Sequence, residues 1–273
     1  MAAVPRVRPR IGTTSFVFPA SWIENVRRLA RRVEDIEILV FERPERAGPS
    51  PAEIEEIAAL GRAQGLTFSV HAPLDLALAS PDPAQRADSI EAVLRTARLT
   101  APLSPHTLVV HLEPAAGGLG GPSLSRPPQH DDWRRRAASS LEALLAGGLS
   151  PGAICLENPD GGFGAAEPLL DELGLSAALD LGHLARDGVP FDAMLARHLS
   201  RARLIHLHGT EPGGRDHRSL RHYPRAEALR LLRALAGAGW AGVLTLEVFR
   251  QDDLEDSLQV LAGWWREAVG EDA

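Results

Sequence analysis

The sequence contains no lysine, so all 29 of its permanently basic residues are arginines. This absence excludes any chemistry that passes through a lysine Schiff base. The chain also has a single cysteine, Cys155. One cysteine excludes an intramolecular disulfide and a zinc site built from several thiolates. Because Cys155 lies inside a short apolar run, we interpret it as a small buried side chain.

Long apolar runs and basic blocks are missing as well. No segment approaches the roughly 20 apolar residues of a membrane span, and the amino-terminal MAAVPRVRPR has no apolar core of a signal peptide. We therefore expect a cytoplasmic protein without a membrane partner. The net charge of −7 is spread along the chain, whereas nucleic-acid-binding proteins usually carry a basic stripe. The charge pattern thus argues against nucleic acid as a partner, and the sequence gives no oligomeric state.

Short apolar runs alternate with segments of helical spacing along the whole chain. The predicted strands fall near residues 10–16, 36–41, 66–71, 106–112, 153–157, 176–181, 203–208 and 243–248. Strict alternation of this kind gives parallel strands with right-handed crossovers. We predict an α/β fold, a single (β/α)8 TIM barrel domain over residues 1–273. A doubly wound open sheet is the alternative, although it would not bring all the strand ends together.

Helix boundaries and loop lengths fit the barrel. Ser50-Pro51-Ala52-Glu53 is a capping box whose helix should stop at Gly65, and Asp82-Pro83 should open the next helix. Further helix ends are expected at Gly147, Gly174 and Gly239. Two connections, 114–132 and 209–224, are too long for plain turns. Since both leave carboxyl ends of predicted strands, we expect them to contact substrate, with a disordered insertion as the alternative for the first.

Acids and histidines stand where the apolar runs end. They are His71, His111, Glu157, Asp180, His206 and Glu247, with His183 following Asp180. Burying this many ionisable groups without a cation would cost several kcal/mol for each unpaired charge. Histidine with glutamate and aspartate is the ligand set of zinc or manganese centres. The pattern therefore predicts a divalent metal site.

Other polar residues are assigned around this site. Glu42 closes the second strand and could accept a hydrogen bond from a ligating imidazole, contact substrate, or simply pair with Arg43 or Arg46. His208 alternates with His206, so it should face inward one layer higher and contact substrate. The remaining histidines are interpreted as solvated residues outside the site: His106, His130, His198 and His222.

Four motifs resemble the xylose-isomerase-like barrel superfamily, which contains sugar isomerases and epimerases and the apurinic/apyrimidinic endonucleases. They are Glu157-Asn158-Pro159, Asp180-Leu181-Gly182-His183, His206-Leu207-His208-Gly209 and Leu246-Glu247. The resemblance extends over essentially the whole chain.

The endonuclease branch implies a ligand set for two or three divalent ions. By resemblance, Glu157 bridges two metals, of which one also takes His71 and His111. The second metal takes Asp180, His206 and Glu247. A third is held by a residue matching His183 and by an Asp-x-His pair in the loop after strand 7. Here that pair is Asp216-His217, adjacent rather than separated by one residue, so the third site should differ in geometry.

The amino-terminal stretch resembles one group within the superfamily. The segments 11–20, 25–27 and 33–42, and the loop with Asp216-His217, are similar to the cobamide-remodelling phosphodiesterases. These enzymes hydrolyse the nucleotide-loop phosphodiester of cobamides. The resemblance therefore implies a cobamide substrate and zinc or manganese as cofactor.

Three enzymatic functions and one non-enzymatic function follow. The first is phosphodiester hydrolysis, with Glu157 and Glu247 as catalytic residues and Arg215 and Arg218 as a phosphate clamp or, alternatively, as exposed solubilising arginines. The second is sugar isomerisation or epimerisation at one ion, for which Glu157, Asp180, His206 and Glu247 suffice. In that case His71 and His111 are not needed as ligands. Abasic-site DNA cleavage is third, and a non-catalytic binding barrel is fourth.

Overall fold

Eight parallel strands form the centre of the molecule and close into a barrel in chain order. This computed structural model describes residues 8–40, 48–112, 128–158 and 162–270. The strands are β1 (Arg10–Thr14), β2 (Asp35–Leu39), β3 (Thr67–His71), β4 (Leu108–Val110), β5 (Ile154–Glu157), β6 (Ser176–Asp180), β7 (Ala202–Leu207) and β8 (Val243–Leu246). Closure between β1 and β8 excludes the open-sheet alternative and confirms the predicted (β/α)8 barrel.

Helices surround the barrel between successive strands. Those in the described residues are α1 (Trp22–Leu29), α2 (Pro51–Gln64), α3 (Pro83–Thr100), α4 (Pro128–Ala146), α5 (Glu167–Glu172), α6 (Leu181–Arg186), α7 (Asp192–His198), α8 (Arg225–Ala238) and α9 (Gln251–Val269). Among them no helix is long and apolar enough to cross a membrane. Short 3-10 turns lie at Ala101–Leu103, Pro151–Ala153, Gly164–Ala166 and Leu220–His222.

The helix signals in the sequence are confirmed. The Ser50 side chain accepts from the backbone N–H of Glu53 while the Glu53 carboxylate accepts from the N–H of Ser50, which is the predicted capping box. Gly65 ends α2 at φ 71° in the left-handed region, where glycine has no steric penalty. Asp82 caps α3 through the N–H of Ala84.

Strand ends differ slightly from prediction. Six of the eight ladders stop one or two residues early, so β1 ends at Thr14 and β4 covers only Leu108–Val110. His111 and Glu247 consequently lie one residue beyond their strands. The apolar pattern continues past the last ladder hydrogen bond, because residues such as Leu112 and Val248 remain buried in the core. Hydrophobic pattern therefore predicted burial more accurately than pairing.

An apolar layer inside the barrel supports the strand ends. Val109, Cys155, Ala178 and Leu204 pack together in the barrel interior and are fully buried. Each stands two residues before a predicted ligand, so strand alternation points both side chains to the same face. The predicted ligands from β4 to β7 thus lie directly above a buried apolar layer.

The amino end of the barrel contains a separate polar network. The fully buried Asp35 carboxylate accepts from Ser69 Oγ at 2.9 Å and Thr67 Oγ1 at 2.6 Å, and lies 2.8 Å from His106 Nε2. His198, 4% exposed, lies 2.9 Å from a Glu167 carboxylate oxygen. The interpretation of His106 and His198 as solvated residues is therefore wrong: both are structural histidines with carboxylate partners.

Candidate metal centre

The carboxyl ends of the strands surround a cavity of about 200 Å³. Its described lining combines predicted ligands, namely His71, His111, Glu157, His183, His217 and Glu247, with the apolar Leu39, Val40, Leu74 and Phe249. A wider groove of about 770 Å³ lies between the amino ends of the first strands and α9. That groove contains none of the strand-end ligands, so its size does not mark the site.

Three groups of possible metal ligands meet at this cavity. Within each group, one donor atom from every residue lies within 4.8 Å of the others. The groups are His71, His111 and Glu157; Glu157, Asp180, His206 and Glu247; and His183, His208 and His217. Glu157 belongs to two of them, which is the shared position that the resemblance implied for a bridging glutamate.

The first group lies on one side of Glu157. The Oε2 atom of Glu157 is 2.6 Å from His111 Nε2 and 3.3 Å from His71 Nε2. His71 Nδ1 is 2.7 Å from the carbonyl of Ala72. Because a carbonyl can only accept, Nδ1 carries the hydrogen and leaves Nε2 free to bind a cation. The ring is therefore held in the tautomer that ligation requires.

The second group lies on the other side of Glu157. The Oε1 atom of Glu157 is 2.8 Å from His206 Nδ1, and this nitrogen is also 3.5 Å from Glu247 Oε2. Asp180 is clamped by Asn158, whose side-chain oxygen accepts from the Asp180 N–H at 2.9 Å while its amide donates to the Asp180 carbonyl at 3.0 Å. All four ligand candidates are buried. Their oxygens and single imidazole form a set suited to zinc or manganese.

The third group contains an unexpected member, His208. We expected His208 to contact substrate, but it is 1% exposed and does not line the cavity. The backbone N–H of His217 donates to His208 Nδ1 at 3.1 Å. A neutral ring therefore carries its hydrogen on Nε2, which lies 3.6 Å from Asp180 Oδ1. This arrangement places His208 behind Asp180 rather than in contact with substrate.

The side chains of the adjacent residues Asp216 and His217 have different surroundings. His217 has φ 52°, an uncommon left-handed conformation for a histidine, and its ring lines the cavity. The Asp216 carboxylate instead accepts from Arg186 at 2.9 Å and remains 3.7 Å from His183 Nε2. In this chain, where no residue separates the aspartate from the histidine, Asp216 thus pairs with Arg186 beside the third group.

Electrostatics favour a cation in this cavity. Burial opposes charge on the imidazoles, but the neighbouring carboxylates outweigh it and raise the pKa of His71 and of His183 to about 9. Burial would likewise raise the pKa of Glu157, yet His206 and His111 hold it well below its usual value. The metal-free site therefore balances its carboxylates with protons on imidazoles.

An unsatisfied acceptor supports the same conclusion. Glu247 Oε2 is buried and has no hydrogen-bond partner among the described residues. It faces His206 Nδ1 at 3.5 Å and His217 Nδ1 at 3.6 Å. A buried oxygen without a partner costs free energy unless an ion or a proton donor satisfies it. The donor set thus fits a divalent metal.

Two predicted substrate contacts, Arg215 and Arg218, do not line the cavity. Arg218 pairs with Glu211 at 3.0 Å and with Asp253 at 3.0 Å. Arg215 is 79% exposed at its side chain and pairs with Glu211. Arg215 therefore agrees with the alternative of an exposed arginine, whereas Arg218, 18% exposed, is a largely buried ion-pair partner. Glu42 lies outside the described residues.

Sequence reasoning missed Glu37, which is fully buried on β2. Its Oε2 atom lies 2.9 Å from His206 Nε2. The signal was present, because β2 reads Asp-Ile-Glu-Ile-Leu and its acids alternate with isoleucines. Acids at every second position of a fully buried strand must face the barrel interior, where they need partners.

Known proteins share the barrel fold described above. Residues 27–268 match the family described as xylose isomerase-like TIM barrel. No curated protein sequence matches the chain. Among solved structures, a D-tagatose 3-epimerase-like protein is 20% identical with a TM-score of 0.69, covering 95% of this chain and 98% of that chain. The 3-keto-D-glucoside 4-epimerase from E. coli is 16% identical with a TM-score of 0.70, covering 95% and 100%.

An endonuclease has a similar fold as well. Endonuclease IV from Thermus thermophilus is 22% identical with a TM-score of 0.67, covering 95% of this chain and 100% of that chain. At such identities the structures share the fold alone, and the names of epimerases outnumber that of the endonuclease. The family model does not separate these branches, nor does it point to a cobamide. What it does establish, over nearly the whole barrel, is that the chain belongs to the xylose isomerase-like TIM barrel family.

Proposed function

We propose that this protein is a metal-dependent phosphodiesterase. The observation that carries the proposal is the pair His71 and His111 on the far side of Glu157 from Asp180 and His206. A single-ion isomerase needs only the group around Asp180, whereas two adjacent ions are typical of enzymes that cleave phosphoesters. Glu157, with one oxygen directed to each group, would be the residue that holds both ions.

The chain's own residues suit an in-line displacement on phosphorus. Bound divalent ions would neutralise phosphate charge and lower the pKa of a water molecule. Glu157 and Glu247 flank the same space, so their carboxylates orient the attacking water and accept its proton. His183 and His217 line the cavity beside Glu247. Their imidazoles are placed to stabilise the leaving oxygen.

For the substrate we propose a cobamide, cleaved at its nucleotide-loop phosphodiester. The proposal rests on the amino-terminal resemblance over segments 11–20, 25–27 and 33–42. Leu39, Val40, Leu74 and Phe249 form the apolar part of the cavity wall. Such a wall suits a phosphodiester that carries a flat apolar group. Zinc and manganese are the proposed cofactors.

Sugar isomerisation or epimerisation is the second candidate. It is favoured by the completeness of the group Glu157, Asp180, His206 and Glu247 as a site for one ion. The epimerase names among the structural neighbours also favour it. In that function Glu157 and Glu247 would exchange the proton beside the sugar carbonyl, and His71 and His111 would not bind metal.

Metal stoichiometry together with product analysis tests the proposal. We expect at least two tightly bound ions per chain by plasma mass spectrometry, and release of the lower-ligand nucleoside or nucleotide from a cobamide. His111→Ala should lose one ion and slow hydrolysis more than about 100-fold, because even residues that only support ligands cost that much. His222→Ala, which removes an exposed histidine outside the three groups, is the matched control.

Two other sets of results would establish the alternative functions. One ion per chain, unchanged in His111→Ala, together with turnover of a ketose and none of a cobamide, would establish the isomerase function. Tight salt-dependent binding and cleavage of DNA with an abasic site would establish the endonuclease function.

A further inference from the structure

Glu37 is a buried carboxylate directly beneath the metal centre. It lies on β2 opposite Ser69 of β3, two residues before the level of His71. Its register partners are Thr14 on β1 and Ser69 on β3. Glu37 is therefore a buried acid whose partners on both neighbouring strands are uncharged.

The Glu37 carboxylate contacts His206 on the side away from the cavity. Glu37 Oε2 and His206 Nε2 are 2.9 Å apart, and both side chains are 0% exposed. A carboxylate accepts and cannot donate, so Nε2 carries the hydrogen. The other ring nitrogen, Nδ1, faces Glu157 Oε1 at 2.8 Å and Glu247 Oε2 at 3.5 Å. Without a metal Nδ1 also carries a hydrogen toward Glu157, and a bound cation would replace that hydrogen while Glu37 keeps the one on Nε2.

The second oxygen of Glu37 strengthens this contact. Glu37 Oε1 is buried and has no hydrogen-bond partner among the described residues. Because no described donor reaches that oxygen, His206 is the main partner for the charge of the carboxylate. A buried carboxylate that accepts from a ligating imidazole fixes the ring and increases its basicity as a ligand.

We propose that Glu37 is a positioning residue for the metal centre, holding His206 with Nδ1 toward the cation and increasing its affinity for that cation. The inference rests on the metal site of the proposed function, specifically on the group around His206, which hydrolysis and isomerisation share. It concerns metal binding rather than substrate choice. A purely structural role for Glu37 would instead affect only the free energy of unfolding.

Asp35 provides a matched control for this distinction. It lies two residues earlier on the same strand, is equally buried, and also has a histidine partner, His106. Its partner does not belong to any of the three ligand groups. Asp35→Asn therefore removes a comparable buried charge without touching the metal centre.

The experiment measures zinc affinity by calorimetry on metal-free wild type, Glu37→Gln, Glu37→Leu and Asp35→Asn, with folding checked by circular dichroism. We expect about tenfold weaker binding in Glu37→Gln, which keeps an acceptor, and about 100-fold in Glu37→Leu, the range found for residues that support ligands. Asp35→Asn should change the zinc affinity by less than about threefold, since it lacks that role. In zinc-loaded protein with ¹⁵N-labelled histidine, His206 should lose its Nε2–H signature only in Glu37→Leu.

The outcomes separate the two proposals. Wild-type zinc affinity in folded Glu37→Leu would overturn the role of Glu37, whatever the enzyme does to phosphodiesters. Equal losses of affinity in Asp35→Asn and Glu37→Gln would overturn it as well, because a general packing effect would then explain both. Weakened zinc binding in Glu37→Leu, with a wild-type protein inactive on cobamides, would support this inference while rejecting the phosphodiesterase.

Discussion

Individual side chains at the metal centre are held mostly by neighbours that are not ligands. Asp180 accepts from the N–H of His183 through one oxygen and is clamped at its backbone by Asn158. The Ala72 carbonyl orients His71, and Glu37 contacts His206. Asp180, His71 and His206 therefore approach the cavity with few free torsions. A site prepared in this way loses little side-chain entropy when an ion binds.

At the opposite end of the barrel, Asp35 makes a prediction about stability and pH. Burial would raise the pKa of Asp35, but hydrogen bonds from His106, Thr67 and Ser69 outweigh it and lower the pKa. We expect Asp35→Asn to reduce the free energy of unfolding by about 1–3 kcal/mol at pH 7, since charged buried acceptors contribute about that much. Urea unfolding of both proteins measures this difference.

The sign of the pH dependence follows from the lowered pKa. A carboxyl whose pKa is lower in the folded state stabilises the fold above its unfolded pKa of about 3.9, and this stabilisation disappears as the pH falls through the folded value. The difference between wild type and Asp35→Asn should therefore be complete at neutral pH and shrink in acid. A difference independent of pH would mean that the Asp35 charge does not stabilise the fold.

Among the elements, α6 connects the second and third ligand groups. This short helix begins directly after Asp180 and carries His183 on its first turn. Gly182 lies against the ring of His208, since a Cβ placed there would approach the ring atoms to 2.4 Å. Real Cβ atoms do not come so close, so a side chain at this position must displace either the helix or the imidazole.

Gly182→Ala should therefore disturb the site while the barrel stays folded. Movement of α6 would shift His183 and the Asp180 carboxylate that caps the helix, and small displacements of reacting groups cost up to about 100-fold in rate. Steady-state hydrolysis of a cobamide, or ketose turnover under the isomerase function, measures the loss. Metal content indicates whether Asp180 has moved.

Gly263→Ala is the control for that substitution. Gly263 lies inside α9, and a Cβ there would meet nothing within 4 Å. Alanine favours a helix interior over glycine by about 0.5–1 kcal/mol, so this variant should be as active as wild type and slightly more stable. Wild-type activity in Gly182→Ala would show that contact with His208 does not position α6.

For the molecule as a whole, periodicity alone predicted the architecture. Eight apolar runs separated by helical segments gave the closed barrel, and the ends of β3 to β8 gave the ligands that the cavity brings together. What periodicity could not give was tertiary pairing: Arg218 with Asp253, Asp216 with Arg186, and His208 with the N–H of His217. These pairs join loops and helices whose relative placement is set by packing.

The same limitation explains Glu37 and Asp35. Glu37 lies inside the run 36–41 that was recognised as a strand, and Asp35 directly precedes that run, so the pattern held a signal for a buried acid at Glu37 only. Their partners, His206 and His106, come from parts of the chain about 170 and 70 residues away. Closure of the barrel brings His206 on β7 to Glu37 on β2, whereas the order β2-β3-β4 brings His106 to Asp35. Strand recognition therefore identifies buried acids in this fold before it identifies their function.

At the same scale, metal binding should stabilise the complete barrel. The ligand candidates of the first and second groups come from β3 to β8 or the residue that follows, so an ion at either of these sites links strands that are distant in sequence. With free zinc at about 100 times its Kd, the gain is about 2.7 kcal/mol for one site. For a chain of this size that corresponds to roughly 5–10 °C in melting temperature. Thermal unfolding with EDTA or zinc measures the difference.

This stabilisation should grow with pH, because zinc and protons compete for the same imidazoles. In metal-free protein the pKa of His71 and of His183 is raised to about 9. Raised values stabilise the metal-free fold below the unfolded pKa of about 6.5, and that contribution disappears as the pH rises toward 9. Zinc binds the neutral rings and releases their protons. The melting temperatures with EDTA and with zinc should therefore diverge from pH 6 to pH 8.5.

Glu157→Gln, which removes charge from both groups, should abolish most of that divergence. A gap of constant size in wild type would mean that these imidazoles are not the groups that zinc binds.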